Sequence, residues 1–131
     1  MGHLISRELK LLNEQKPIET IPYEKKTWVK SDVVEMLTIK ALENDLKPKY
    51  LITLANCESS LDPSVQSKYI QPYGREESYG LFQIHTRAHT NITVEEAKDP
   101  EFNTDWAIQE IKRGKAPQHW VHCNKIAKQY S

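Results

Sequence analysis

The sequence predicts one α+β domain that is mainly α-helical. Three observations lead to this class. A chain of 131 residues is long enough for one hydrophobic core and short for two. Apolar residues recur at helical spacing over several stretches, whereas only Ser78 to Ile84 shows the alternation of a strand pair. We therefore expect helices to dominate, with a small β-hairpin beside them.

The first 30 residues are the least specified part of the chain. They mix charged with scattered apolar positions and contain Pro17 and Pro22. We expect a short helix near Leu4 to Leu12 and then an extended arm, with residues 31–131 forming the domain itself. No apolar core of signal-peptide length is visible at the start.

Two helices are predicted next, and they meet at an angle. Asp32 followed by Glu35 has the form of a capping box, which predicts a helix over about residues 32–46. Pro48 cannot continue that helix but suits the first turn of another. We therefore predict a second helix over Tyr50 to Ser59.

The rest of the chain is predicted to hold the hairpin and three shorter helical segments. Thr93 is placed to cap a helical turn, and Asn103 to cap a helix that runs to about Arg113. Pro117 starts a last helix. The apolar residues of the longer of these helices are expected in the core; they are Trp106, Ile108 and Ile111.

Composition and charge exclude several classes of function. Eighteen Lys and Arg residues balance eighteen Asp and Glu residues, so the chain has no global cationic field to hold nucleic acid. Its longest apolar stretches, such as Leu51 to Ala55, are far shorter than the roughly 20 residues that span a bilayer. We expect a monomer without a nucleic-acid partner or a membrane span.

The second helix carries an acid in an unusual position. Leu51, Leu54, Ala55 and Glu58 follow one another at helical spacing, so the carboxyl group shares the face that turns toward the core. Burial and the nearby helix C-terminus both disfavour a negative charge, which should raise the pKa of Glu58. A carboxylate on the rim of the helix is the alternative interpretation.

The chain contains two cysteines and five histidines, which are candidates for a structural bridge or a metal site. Cys57 and Cys123 are enough for one disulfide, with two buried free thiols as the alternative. His85 and His89 are four residues apart, and His119 and His122 lie close to Cys123. These spacings match no zinc motif, so we expect neither a metal nor another cofactor.

Three segments together resemble the lytic transglycosylase family, of the SLT type, within the lysozyme-like superfamily. Residues 58–63 read Glu-Ser-Ser-Leu-Asp-Pro, residues 78–84 read Ser-Tyr-Gly-Leu-Phe-Gln-Ile, and residues 99–103 read Asp-Pro-Glu-Phe-Asn. Each motif is weak alone, but their order and spacing are specific over roughly residues 48–113. The resemblance implies a lysozyme-like fold with the hairpin flanking an active-site cleft.

The resemblance also implies a chemistry and a set of site residues. The family cleaves the β-1,4 bond between N-acetylmuramic acid and N-acetylglucosamine in peptidoglycan, which implies an extracytoplasmic place of action. Glu58 would be the general acid and base and would leave a 1,6-anhydromuramoyl product. The remaining residues implied at the cleft are Ser59, which orients Glu58, and Ser78, Tyr79, Gly80, Gln83 and Glu77. Stacking surfaces for sugar rings could come from Tyr69, Tyr73, Tyr79, Phe82 and Trp120.

The absence of an acid at residue 78 favours the transglycosylase. Animal-type lysozymes have Asp-Tyr-Gly where this chain has Ser78-Tyr79-Gly80, and a hydroxyl cannot replace the charge of that Asp. A hydrolytic muramidase that uses Glu76 or Glu77 as a second carboxylate remains an alternative. A non-catalytic module that only binds glycan is another.

Overall fold

The first two helices of the described domain meet at a tight corner. In the computed structural model, which describes residues 27–71 and 74–131, α1 spans Lys30–Glu43 and α2 spans Pro48–Ser59. Both helices were predicted, and Pro48 occupies the first turn of α2 as expected. The helix predicted near Leu4 to Leu12 lies outside the described residues.

The start of α1 differs from the predicted cap. Asp32 lies within the first turn, and its carboxylate accepts a hydrogen bond at 3.2 Å from the backbone N–H of Val29. A carboxylate there satisfies a donor that the helix itself leaves unpaired. The helix therefore begins before Asp32, at Lys30.

The sheet has three antiparallel strands in the order β1-β2-β3. β1 (Gln66–Gln71) pairs with β2 (Gly74–Tyr79), and β2 pairs with β3 (Ile84–His85). The hairpin predicted at Ser78 to Ile84 is present, since Tyr79 pairs with Ile84 and Ser78 with His85. A longer hairpin, β1 with β2, precedes it and was not predicted.

Residues 80–83 form a turn between β2 and β3. Gly80 and Gln83 have positive φ values of 82° and 53°, which no strand contains. Leu81 and Phe82 are fully buried. The apolar alternation that predicted a strand here therefore reflects a turn that inserts two side chains into the core.

Four helices and a 3₁₀ turn complete the chain. They are α3 (Val94–Lys98), α4 (Pro100–Lys112), α5 (Ala116–His119), α6 (Val121–Ala127) and the 3₁₀ turn Lys128–Tyr130.

Asp99, not Asn103, caps α4. The Asp99 carboxylate accepts a hydrogen bond at 3.0 Å from the backbone N–H of Phe102. Asn103 lies one turn further on and is fully buried. The prediction that Asn103 is the cap was wrong because the acid before Pro100 already fills that position.

Asn103 instead connects α4 to the turn after β2. Its side-chain oxygen accepts a hydrogen bond from the N–H of Phe82, and its amide nitrogen donates to the carbonyls of Tyr79 and Ala97, each at 2.8 Å. One buried side chain thus pairs with two backbone groups at the turn and with the carbonyl of Ala97 in α3.

One large apolar cluster lies between α1, α2, α4 and α6, and a smaller one packs β2 and β3 against α3. Ile108 belongs to the large cluster as predicted, and Ile111 packs partly buried against it. Trp106 is only partly buried and contacts both clusters. The largest fully buried side chains of the main cluster are Phe82, Leu37, Leu51, Leu54, Leu81, Ile108 and Val33.

A disulfide joins α2 to α6. The sulfurs of Cys57 and Cys123 are bonded, with a Cα–Cα distance of 5.6 Å. Of the two alternatives that the sequence left open, the structure therefore has the bridge. The bridge fixes the C-terminal end of α2, which carries the predicted catalytic acid.

Across the described residues, no helix is both long enough and apolar enough to pass through a bilayer.

Candidate active site

A cavity of about 390 Å³ opens where the end of α2 faces the sheet and the later helices. Among the predicted site residues, Glu58, Ser78 and Gln83 lie in its wall. The complete lining is Cys57, Glu58, Ser67, Glu76, Ser78, Gln83, His85, Ala88, His89, Trp106, Gln118 and His119.

Glu58 enters this cavity from the last turn of α2. It follows the stripe of Leu51, Leu54 and Ala55, which are all fully buried, and its own side chain is partly buried. The helical stripe thus anchors the backbone in the core and leaves the final carboxyl group at the cavity wall.

The surroundings of Glu58 favour its protonated form. Burial raises the pKa of Glu58 from the ordinary value of 4.5 to about 7, and the nearby charge of Glu76 adds to the rise. Desolvation and a like charge both disfavour the carboxylate. Glu58 therefore keeps its proton at a pH where an exposed glutamate has lost it, which is what a general acid requires.

A second carboxyl group reaches the cavity from β2. Glu76 and Ser78 are two residues apart on this strand, so their side chains share one face, and both line the cavity. The hydroxyl of Ser78 donates a hydrogen bond to Oε1 of Glu76 at 3.3 Å. The cavity thus contains an acid in addition to Glu58.

Glu77 lies outside the cavity lining, contrary to the expected role at the cleft. It stands between Glu76 and Ser78 on the strand, so its side chain has the opposite direction. Its backbone carbonyl accepts a hydrogen bond at 3.0 Å from the N–H of Thr86, which holds the end of β3.

Gln83 reaches the cavity from the turn, not from a strand. Its amide nitrogen donates to the carbonyl of Gly80 at 2.8 Å and to that of Val65 at 3.2 Å. Gln83 therefore lies on a turn within the segment whose alternation predicted strands, although it is in the predicted site.

Ser59 and Tyr79 are buried away from the cavity. The Ser59 hydroxyl donates to the carbonyl of Ala55 at 3.0 Å, so it binds its own helix and does not orient Glu58. Tyr79 is 4% exposed and belongs to the smaller apolar cluster. Both positions were expected at the cleft, and both serve packing.

Gly80 also has a packing role. A Cβ atom at this position would lie 2.7 Å from the carbonyl oxygen of Ala97 and would collide with the Asn103 side chain. Only glycine lets the turn approach α3 and α4 this closely. The expectation that Gly80 is itself a cleft residue is not met, since it is absent from the lining.

Aromatic rings form another part of the cavity wall. The ring of Trp106 contacts the imidazoles of His89 and His119, with centroid distances of 5.2 and 5.1 Å. Glu110 is 7% exposed and lies within 3.1 Å of Nε2 of His119. Arg113 donates to the same carboxylate at 2.7 Å. Glu110, held by Arg113, in turn holds the imidazole of His119.

The other aromatic residues considered for sugar stacking have different positions. Phe82 is fully buried, and Trp120, which is 2% exposed, donates its Nε1–H to the Phe82 carbonyl at 2.8 Å. Both therefore belong to the core. The side chains of Tyr69 and Tyr73 lie outside what the structure describes.

Sequence reasoning missed most of this wall. Trp106 was assigned to the core, and the histidines were weighed only as metal ligands. A signal for Glu110 exists, because Asn103, Ala107 and Glu110 follow one another on a buried stripe of α4, as Glu58 does on α2.

Within the described ranges, no group of three or more His, Cys, Asp and Glu side chains is arranged to hold a metal ion. Cys123 is bonded to Cys57 and so provides no thiolate.

Comparison with known families identifies the class. The family model for the transglycosylase SLT domain matches residues 35–116, which is more than half of the chain. The chain therefore belongs to this family of the lysozyme-like superfamily, whose members act on peptidoglycan outside the cytoplasm. The mainly helical α+β fold with its small antiparallel sheet agrees with this class. No curated protein and no solved structure matches the chain.

Proposed function

We propose that this protein is a peptidoglycan lytic transglycosylase that uses Glu58 as both general acid and general base. Its target is the β-1,4 bond between N-acetylmuramic acid and N-acetylglucosamine. The observation that carries the proposal is a carboxyl group with a pKa of about 7 in the wall of a cavity of about 390 Å³. Such a volume lies within the range of small-molecule sites, roughly 300–1,000 Å³.

The first step breaks the glycosidic bond. The proton of Glu58 moves to the glycosidic oxygen, the bond from that oxygen to C1 of the muramoyl residue breaks, and the oxygen leaves as the 4-hydroxyl of N-acetylglucosamine. Positive charge then spreads over C1 and the ring oxygen, as in other glycosidase reactions.

The second step closes an internal ring. The Glu58 carboxylate accepts the proton of the 6-hydroxyl of the same muramoyl residue, and the oxygen of that hydroxyl bonds to C1. The product is a 1,6-anhydromuramoyl end, and Glu58 is protonated again. One carboxyl group is sufficient for both proton transfers.

Three further residues support binding of a sugar chain. Ser78 and Gln83 place a hydroxyl and an amide in the lining, where they can contact N-acetyl and hydroxyl groups of the substrate. Trp106 provides an apolar ring in the same lining, and aromatic faces pack well against the apolar faces of sugars.

Replacing the acid tests the proposal. Glu58→Gln keeps the shape but cannot donate the proton, so we expect release of soluble fragments from purified peptidoglycan to fall by about 10²- to 10⁴-fold. Binding to the insoluble polymer should remain. Glu43→Gln is the control, because Glu43 is exposed at the end of α1 and far from the lining.

Mass analysis of the fragments separates the alternatives. A transglycosylase gives 1,6-anhydro ends, whereas reducing muramic acid ends would show a hydrolytic muramidase. If the parent protein binds the polymer but releases no fragments, the chain is a non-catalytic glycan-binding module and the proposal is wrong.

A further inference from the structure

We propose that Glu76 is a second catalytic carboxylate, whose negative charge stabilises the positively charged sugar that forms when the glycosidic bond breaks. This inference rests on the function proposed above and adds a residue to it. It also replaces the expectation that a single acid acts alone in this cleft.

The strand brings Glu76 into the same cavity as Glu58. β2 and the end of α2 both contribute to its lining, and the paired strand β1 adds Ser67 beside Ser78, its partner in register. The charge of Glu76 is close enough to act on Glu58, so a sugar bound in this cavity meets carboxyl groups from both the helix and the strand.

Ser78 explains why a charge at residue 76 would be useful. Its hydroxyl cannot supply the charge that an Asp at this position would provide, but it donates a hydrogen bond to Glu76 at 3.3 Å. The strand periodicity carries residue 76 to the same face as residue 78. The negative charge that is absent at residue 78 is thus present two residues earlier, and the serine helps to hold it.

The charge of Glu76 acts directly on Glu58. Burial, together with this charge, raises the pKa of Glu58 to about 7. A like charge that opposes ionisation keeps the proton on Glu58, so Glu58 is the proton donor of the pair.

The other charged groups near the cavity do not take this role. Among the described residues of the lining, Glu58 and Glu76 are the two acids, and the remaining titratable groups are His85, His89 and His119. The nearby Glu110 is outside the lining and binds Arg113 and His119. Besides Glu58, Glu76 is thus the acid that the described part of the chain places in the lining.

Kinetics of Glu76→Gln test the inference. With a soluble glycan chain as substrate, we expect kcat to fall by about 10- to 100-fold with little change in KM, because the lost charge matters most in the transition state. Glu77→Gln removes one charge from the same strand outside the cavity, and we expect it to keep the parental kcat within about twofold. Glu76→Asp keeps the charge and should retain more activity than Glu76→Gln.

The pH profile supplies a readout that a purely structural role would not change. In the parent, kcat/KM should fall as the pH rises through about 7, where Glu58 loses its proton. Removing the charge of Glu76 should move this fall to lower pH, since a like charge no longer opposes ionisation of Glu58. The neighbouring His85, His89 and His119 are present in both the parent and Glu76→Gln, so their titration contributes to both pH profiles.

Two results would overturn the inference. One is a Glu76→Gln variant with parental kcat and an unchanged profile. The other is a folded Glu76→Asp variant no more active than Glu76→Gln. If Glu76→Gln does not fold, Glu76→Thr removes the charge with a residue that strands accommodate well, and parental kcat with an unchanged profile in that variant would count against the inference. Inactive Glu58→Gln together with fully active Glu76→Gln would reject this inference alone, whereas an active Glu58→Gln would reject the proposed function.

Discussion

Glu58 has a backbone held in place by buried helical neighbours and a carboxyl group that reaches the cavity. Its helical neighbours Leu51, Leu54 and Ala55 are buried in the core, so the carboxyl group has little freedom to move into water. The desolvation that makes it a proton donor also makes its charged form unfavourable in the folded protein. The burial that suits Glu58 to donate a proton should therefore lower the stability of the folded protein once Glu58 is ionised.

Stability measurements at two pH values test this conflict. The folded-state pKa of Glu58, about 7, lies above the ordinary value of 4.5, so the unfolded chain releases its proton first as the pH rises. The parent should lose stability between these values and change no further above them. We expect Glu58→Gln to gain stability relative to the parent from pH 4 to pH 8, as measured by urea unfolding. An equal difference at both pH values would contradict the expectation.

The sequence could single out Glu58 but could not decide which neighbouring acid shares its cavity. A helical stripe tolerates an error of one residue in the helix start, because its apolar positions still define one face. A strand does not, since a shift of one residue reverses every side chain. With the strand bounds unknown, Glu76 and Glu77 were equivalent, and only the observed pairing places Glu76 in the cavity.

At the scale of secondary-structure elements, the helices were easier to predict than the sheet. Capping residues and prolines mark the helix starts at Pro48 and Thr93 directly. β1 and β2 have the sequences Gln-Ser-Lys-Tyr-Ile-Gln and Gly-Arg-Glu-Glu-Ser-Tyr, which contain few apolar residues and no clear alternation. Their pairing depends mainly on backbone hydrogen bonds, which leave little trace in the sequence.

The turn between β2 and β3 depends on glycine at residue 80. Gly80→Ala adds a methyl group that collides with Ala97 and Asn103 at a positive φ. We expect a loss of roughly 2–5 kcal/mol in the free energy of unfolding, from the strained backbone and the overpacking together. Urea unfolding measures this loss.

Gly114→Ala is the matched control for that substitution. Gly114 also has a positive φ, of 75°, but no atom lies within 4 Å of an added Cβ. It should therefore show only the backbone part of the cost, roughly 1–2 kcal/mol. Equal losses at the two positions would mean that close packing against Asn103 contributes nothing.

At the scale of the whole molecule, the Cys57–Cys123 bridge connects α2 to α6 across 66 residues of sequence. Residue spacing alone could not decide between this bridge and two thiols, because the relevant distance is set by how α6 packs on α2. The transglycosylase motifs, by contrast, were recognisable from the sequence because they are contiguous.

Replacing both cysteines with serine tests the contribution of the bridge. In the chain-entropy model, a loop of this length contributes about 4 kcal/mol to stability. We expect Cys57→Ser/Cys123→Ser to unfold at lower urea concentration and to cleave peptidoglycan more slowly, because the end of α2 is held less firmly. A reducing agent should destabilise the parent but not the variant. Unchanged unfolding of the double variant would contradict the expectation.

Cys57 is both the residue before Glu58 and a part of the cavity wall, so the rigidity of the proton donor depends on the redox state of its surroundings. In a reducing cytoplasm, glutathione and thioredoxin keep such sulfurs apart, and only side-chain packing would hold the helix end. Under oxidising conditions, the disulfide also holds the end of this helix. We therefore expect the proposed cleavage to be fastest in an oxidising compartment outside the cytoplasm, where peptidoglycan lies.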